Sequence, residues 1–339
     1  MSESVGRLTL ADIARLAGVG VGTASRALNG SPSVAPATRA RVLDVAERYH
    51  YVISPDASRL ARGTTGRVGL VVPHVSRWFF GTMVEALESV FRQAHIDVLL
   101  YHVGDRRDRQ DFFQRLPARR KVDALVVVGF PVEEAERKRL ELLNVQVVAA
   151  GGQHAVYPHV SIDDFRAGAQ AVGHLVTLGH KAIAMIEAMD PDQSPSPSQR
   201  SAAYYSALEE AAIPVDPQMI VRVDWGGEHG AEAMGQLLTV RNRPTSVYAH
   251  SDEVALGAIR TIRRAGLRVP EDISVVGIDD HPLAGLTDLT TVRQPVWEQG
   301  RSAAELVLAL LAGNPVDRSV VLPTRLVVRS STAPPATAG

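Results

Sequence analysis

Residues 18–29, read G-V-G-V-G-T-A-S-R-A-L-N, restrict the fold more than any other stretch of the chain. They follow T-L-A-D-I-A-R-L-A, in which Thr9 can cap a helix with Asp12 at the third helical position, and Ile13, Leu16 and Ala17 recur as one apolar stripe. Gly18 ends that helix. A second begins almost at once, with Val21, Ala24, Ala27 and Leu28 on one side and Gly22, Thr23, Ser25, Arg26 and Asn29 on the other. Two short helices joined by a glycine-bearing turn predict a helix-turn-helix, whose second helix offers small polar and cationic side chains to a DNA groove. Gly18, Gly20 and Gly22 also look like a dinucleotide-binding loop, but that motif needs a preceding strand and a further glycine where Thr23 or Ser25 stands. After residues 30–35, Pro36 suits a first helical turn, and Val42, Val45, Ala46 and Tyr49 predict a third helix closing a miniature core.

The charge distribution suits that head. Residues 1–62 hold eight arginines against five acidic residues, a charge of +3, which leaves −4 for the rest of a chain whose formal total is −1. A basic head on a mildly acidic body fits contact with DNA through the head alone. With 339 residues, at least two domains are expected. The absence of cysteine excludes disulfides, thiolate zinc sites and a cysteine nucleophile. Residues 1–7 carry no apolar signal core, and the apolar run 303–312 is interrupted by Glu305 and too short to span a bilayer, so the expected location is the cytoplasm, with no membrane partner.

Beyond Gly63 the pattern becomes an alternation of apolar strands and amphipathic helices. Strands are predicted at 68–73, 97–103, 124–129 and 145–151, and a second series follows at 159–163, 182–188, 220–225, 246–252 and 273–280. Uninterrupted apolar strands between helices mean a parallel sheet covered on both faces, here in two doubly wound subdomains. Ligands of such sheets sit beyond the carboxyl ends of the strands, so residues just after each strand are the site candidates. The proline- and serine-rich run 190–199 reads as a surface loop, and residues 333–339 as a disordered tail.

The chain resembles the LacI/GalR family of transcription regulators through L-A-D-I-A-R-L-A-G-V, T-A-S-R-A-L-N-G and the segment 51–63. In the body the resemblance continues with L-V-T-L-G-H, A-L-G-A, G-L-R-V-P-E-D-I-S-V-V-G-I-D-D, L-T-T-V-R-Q-P and L-P-T-R-L-V-V-R-S-S-T. The fold so implied is a small all-α helix-turn-helix head on an α/β body of two doubly wound parallel-sheet subdomains, like type I periplasmic binding proteins. Its expected boundaries are a head at 1–53, a hinge and linker at 54–65, a first subdomain at 66–163 plus 295–323, and a second at 164–294 plus 324–332. The implied function is an effector-responsive repressor that binds a near-palindromic operator in double-stranded DNA as a homodimer. The leucine heptad after residue 330 that would support a tetramer is missing.

The resemblance also assigns residues. DNA contacts are expected from Thr9, Leu10, Val21, Gly22, Thr23, Ser25, Arg26 and Asn29, and from the hinge residues Ala57, Leu60 and Ala61, with Leu60 as a minor-groove wedge. A small, sugar-like effector is expected at Phe79, Phe80, Arg200, Trp225, Ser251, Asp252 and Asp279. An arginine with several fixed donors can bridge two hydroxyls, Asp279 can accept from hydroxyls or pair with Arg200 across an empty cleft, and Trp225 can stack on a ring. Asp280 is expected to cap the following turn. The chain departs from the family at Ala203, where a glycine is usual, at Ser251, where asparagine is common, and at Gly151, where many relatives carry aspartate; the last two changes remove polar handles. No phosphate loop, His-Glu-x-x-His, G-x-S-x-G elbow or metal-spaced cluster is present, so neither catalysis nor a cofactor nor a metal is expected. The competing reading is a transport-type sugar-binding protein, which shares the body but leaves the head unexplained.

Overall fold

The computed structural model describes residues 8–51, 63–152, 156–189 and 198–336. The chain divides into two compact units, Met1–Gly66 and Arg67–Gly339. Hinge residues Ala57, Leu60 and Ala61, and most of the proline-rich loop, lie outside the described residues.

The head consists of α1 (Leu10–Leu16), α2 (Val21–Leu28) and α3 (Pro36–Arg48). Thr9 and Asp12 form a reciprocal capping box: Thr9 Oγ1 accepts from the Asp12 N–H at 3.3 Å, and the Asp12 carboxylate accepts from the Thr9 N–H at 3.0 Å. Ile13, Ala14, Ala17, Ala24, Ala27, Val34, Val42 and Val45 fill the core. Four of these are alanines, which lets three short helices approach closely around one large side chain, Ile13. Three sequence expectations need correction here. Leu16 is 38% exposed and Ala14 takes its place, Val21 is 49% exposed at the start of α2, and Tyr49 lies 47% exposed beyond the end of α3. Ala14 and Ala17 fill the core side of α1 and leave Leu16 at its rim, while Val21 and Tyr49 stand at helix ends, where the apolar stripe runs out of core to enter.

The body runs β1 (Arg67–Val72), α4 (Trp78–Gln93), β2 (Asp97–His102), α5 (Arg106–Arg115), β3 (Ala124–Val128), α6 (Glu134–Glu141), β4 (Gln146–Ala150) and β5 (His159–Ile162). It continues with α7 (Asp164–Thr177), β6 (Ile183–Ala188), α8 (Gln199–Glu210), β7 (Ile220–Val223), α9 (Gly227–Leu237), β8 (Ser246–Ala249), α10 (Asp252–Arg264), β9 (Ser274–Asp279) and α11 (Pro282–Leu286). Last come β10 (Thr290–Arg293), α12 (Val296–Leu311), β11 (Ser319–Leu322) and β12 (Arg325–Val327). Two six-stranded sheets result, ordered β11-β5-β4-β3-β1-β2 and β12-β10-β9-β8-β6-β7. The described pairings are parallel except that of β12 with β10. The chain passes from the first sheet to the second after β5, returns after β10 and crosses again between β11 and β12. Apolar periodicity alone does not assign these last three strands, which are only three or four residues long.

Each sheet is covered on both faces. In the first subdomain, α4 and α12 pack over one face around Met83, Leu87, Phe91 and Val307, while Phe112, Phe113 and Leu140 cover the other. In the second, α9 and α10 bury Met234, Ile259 and Ile262 on one face, and α7 and α8 bury Leu175, Tyr204 and Leu208 on the other. The expected disordered tail is corrected at its start. Ala333 exchanges hydrogen bonds of 3.0 Å with Ser274 Oγ, and its carbonyl lies 2.9 Å from His180 Nε2, so the chain is pinned to the second subdomain through this residue.

Candidate functional site

On the head, α2 presents Val21, Gly22, Arg26 and Asn29 as exposed residues, with Thr23 and Ser25 half-buried beside them. Arg26 forms no ion pair with a described residue, whereas Asn29 donates from Nδ2 to the Ser25 carbonyl at 2.9 Å. Leu10 is half-buried against the head core, and the hydroxyl of Thr9 is committed to its cap. A helix whose outer face carries a free guanidinium among small side chains fits a major groove closely.

In the body, both sheets reverse their strand order beside their first strand, between β1 and β3 and between β6 and β8. The loops after these strands meet at a cleft of about 410 Å³ between the subdomains. From the first subdomain come Phe79, Phe80, Gly129, Phe130 and Gly151; from the second come Asp164, Glu187, Arg200, Trp225, His250, Ser251 and Asp279. Gln294 joins them from the crossing after β10. Gly129 and Gly151, at φ +76° and +72°, end β3 and β4. A Cβ on either would collide with an aromatic ring, Phe80 Cε1 at 2.5 Å and Phe79 Cζ at 2.6 Å respectively. The polar handle lost at position 151 is thus replaced by the half-buried ring of Phe79, set edge-on against Phe80 with centroids 5.1 Å apart.

Arg200 is the polar centre. Its Nε donates to Asp164 Oδ1 at 2.7 Å, and its Nη1 donates to the His250 carbonyl. Burial opposes its charge, but Asp164 and Asp279 more than offset this and raise its pKa. The expected direct Arg200–Asp279 pair is replaced by Arg200–Asp164, because Asp164, opening α7, stands nearer the guanidinium edge, while Asp279 Oδ1 accepts from Gln294 Nε2 at 2.5 Å. Asp279 has φ +136° and Asp280 φ +56°. Two successive residues in this sparsely populated region turn the chain sharply at the end of β9 and store strain at the site. Burial pushes the Asp279 carboxyl up to about 6 against the pull of Arg200. His250 is held neutral by burial and by Arg200. Glu187 accepts from Ser201 Oγ and from Arg222 Nε, which keep it ionised despite burial.

The structure does not bring Asp252 to the cleft. Its Oδ1 accepts from Thr291 at 2.6 Å and its Oδ2 from the His281 N–H at 2.8 Å, in a fully buried position where desolvation raises its pKa. Ser251 lines the cleft and caps α10 by accepting from Val254 N. Asp280 does not cap the next turn; it binds Arg329 Nη2 at 2.6 Å, and His281 caps α11.

A second pocket of about 500 Å³ opens beside the first, and Arg77, Phe130 and Trp225 line both. Arg77 donates from Nε and Nη2 to Glu253 Oε2 at 3.1 and 2.9 Å across the cleft, and its guanidinium carbon stands 5.3 Å from the Trp225 ring centre. Trp78 meets His281 with ring centroids 5.0 Å apart. These contacts join the two subdomains at the cleft mouth. Asp164 and Gln294 follow strands directly and fit the rule that site residues lie just beyond strand ends. The Arg77–Glu253 pair, 176 residues apart, leaves no such signal.

A DNA-reading three-helix head joined to an α/β body with a polar, aromatic-walled cleft defines a ligand-responsive DNA-binding regulator. Residues 9–54 match the family of bacterial regulatory proteins of the lacI type, and residues 172–332 match the periplasmic binding protein-like domain. The HTH-type transcriptional repressor CytR of Escherichia coli is 32% identical over 96% of this chain and 96% of its own. The Lac repressor dimer bound to operator and the anti-inducer ONPF superposes with a TM-score of 0.85 at 28% identity, covering 96% of this chain and 99% of that one. The complex of the transcriptional regulator CelR with cellobiose gives a TM-score of 0.71 at 31% identity, covering 96% and 100%. The chain belongs to the LacI family of transcription regulators. Among the described residues, no helix is long and apolar enough to cross a membrane.

Proposed function

We propose that this regulator is a cytoplasmic repressor without catalytic activity, acting as a homodimer whose two α2 helices read the halves of a near-palindromic operator. Arg26 bonds a guanine edge, and Leu60, outside the described residues, is the candidate wedge between base steps. The effector is a small polyhydroxylated ring, a sugar or sugar derivative. The observation that carries this reading is the convergence of Arg200, Asp164, Asp279 and Gln294 opposite Phe79 in one cleft. Charged and amide groups bond hydroxyls while aromatic faces cover the apolar side of a ring. The cellobiose bound by CelR supports the choice of ligand class. The effector acts through its different affinities for the DNA-bound and released states.

The test is a thermal-shift panel of monosaccharides, disaccharides and nucleosides on wild type and Arg200→Ala, since a ligand bound to the folded state raises its melting temperature. A sugar that stabilises wild type and not the variant supports the reading. Stabilisation of both alike places the ligand elsewhere, and a response confined to nucleosides replaces the sugar with a heterocycle stacked on Phe79.

A further inference from the structure

Arg119, Arg120 and Lys121 form an exposed cationic turn between α5 and β3. Their backbone is fixed from below. Leu116, Ala118 and Val122 are buried in the first subdomain, Arg119 N–H donates to the Leu116 carbonyl and Lys121 N–H to the Ala118 carbonyl, each at 2.9 Å. With those three residues buried, all three cations are exposed to solvent within one turn. None of them forms an ion pair or side-chain hydrogen bond with a described residue, although the body as a whole is acidic.

The position of this turn matters as much as its charge. It lies at the amino end of β3, the edge of the sheet opposite the effector cleft. Asp123 N–H donates to the Arg67 carbonyl at 2.8 Å, and Val68 stands in register with Ala124. The turn therefore adjoins the first residue of β1, where the chain enters the body from the DNA-reading head. Arg67, Asp97 and Asp123, which share this edge, have partners of their own. Three unneutralised cations on a rigid turn, beside the point where a DNA-binding segment is tethered, match the charge of a phosphate backbone.

We propose that Arg119, Arg120 and Lys121 contact backbone phosphates of the duplex flanking the operator, giving the body a sequence-independent footing on DNA. The proposal rests on the reading of the chain as an operator-binding regulator. Each phosphate neutralised releases counterions and steepens the dependence of log affinity on log salt by about 0.9.

The experiment compares the full chain with an Arg119→Gln, Arg120→Gln, Lys121→Gln variant by fluorescence anisotropy over a range of salt concentrations. Two duplexes carry the same selected operator, one trimmed to the operator and one extended by about one helical turn on each side. On the extended duplex the variant, which loses three cations on each of two chains, should show a salt slope flatter by about 5 and bind at least about tenfold more weakly at low salt. Replacement of Arg119 and Arg120 by lysine should keep the slope. On the trimmed duplex all proteins should agree. Equal slopes and affinities on the extended duplex would overturn the phosphate footing while leaving the operator reading intact, and so would capture of an acidic protein partner by the turn without any change in DNA binding. Failure of wild type to bind the trimmed duplex would instead remove the operator reading, and the footing with it.

Discussion

Asp279 is a buried carboxyl in the cleft wall, and its ionisation bears directly on the proposed effector contact. Its pKa is pushed up by burial to about 6, so the free protein holds a mixture of acid and carboxylate in mildly acidic solution. On the proposed contact, hydroxyl donors of the effector bind the carboxylate, so effector affinity should rise with pH and level off above neutrality. Calorimetry should give binding about tenfold weaker at pH 5 than at pH 7, with Asp279→Asn weak and flat across the range. The stability linkage has the opposite sign. A raised acid pKa means the folded state holds the proton more tightly, so the contribution of Asp279 to folding is greatest at low pH and declines between about 4 and 6. Arg200→Lys keeps the charge but loses the fork that reaches Asp164 and the His250 carbonyl together; effector affinity should fall at least about tenfold with operator affinity unchanged. Asp279 was legible as the end of a strand, whereas Arg200 and Phe79, which sit in helices, were reached only through the family resemblance. Asp252 misled because adjacency in sequence to Ser251 says nothing about direction: one residue lines the cleft, and the next turns into the core toward Thr291.

At the scale of elements, the head shows what local chemistry can and cannot specify. The capping box of Thr9 and Asp12 was readable from spacing, and Thr9→Ala should cost the head about 1 kcal/mol in chemical denaturation. The exposed positions of Leu16 and Val21 were not, since a helical stripe read from sequence is about a third of the circumference wide and only packing decides its edges. The strands with long apolar runs were equally plain. β10, β11 and β12, three or four residues long, lie outside the predicted strand-helix alternation and take their places by pairing with β9, β5 and β10. The contact of Arg77 with Glu253 and Trp225 belongs to this scale as well, because it ties the start of α4 to the first turn of α10. With both side chains less than a quarter exposed, the pair should couple by about 1 kcal/mol in a double-mutant cycle of Arg77→Ala and Glu253→Ala; additive effects would mean it contributes nothing to holding the subdomains together.

For the whole molecule, the division of labour between head and body is the central claim: the head chooses the DNA, the body senses the ligand, and two chains act together on one site. Residues 67–339 contain two complete, doubly covered sheets, and as a separate fragment they should fold and bind effector without selecting any operator. In vitro selection from a random duplex library tests the claim most directly, performed with the full chain, with an Arg26→Ala variant and with that fragment. The full chain should enrich a sequence with two-fold symmetry, Arg26→Ala should lose discrimination at one guanine in each half, and residues 67–339 should enrich nothing. An enriched site without symmetry, or the same site recovered by the fragment, would contradict it.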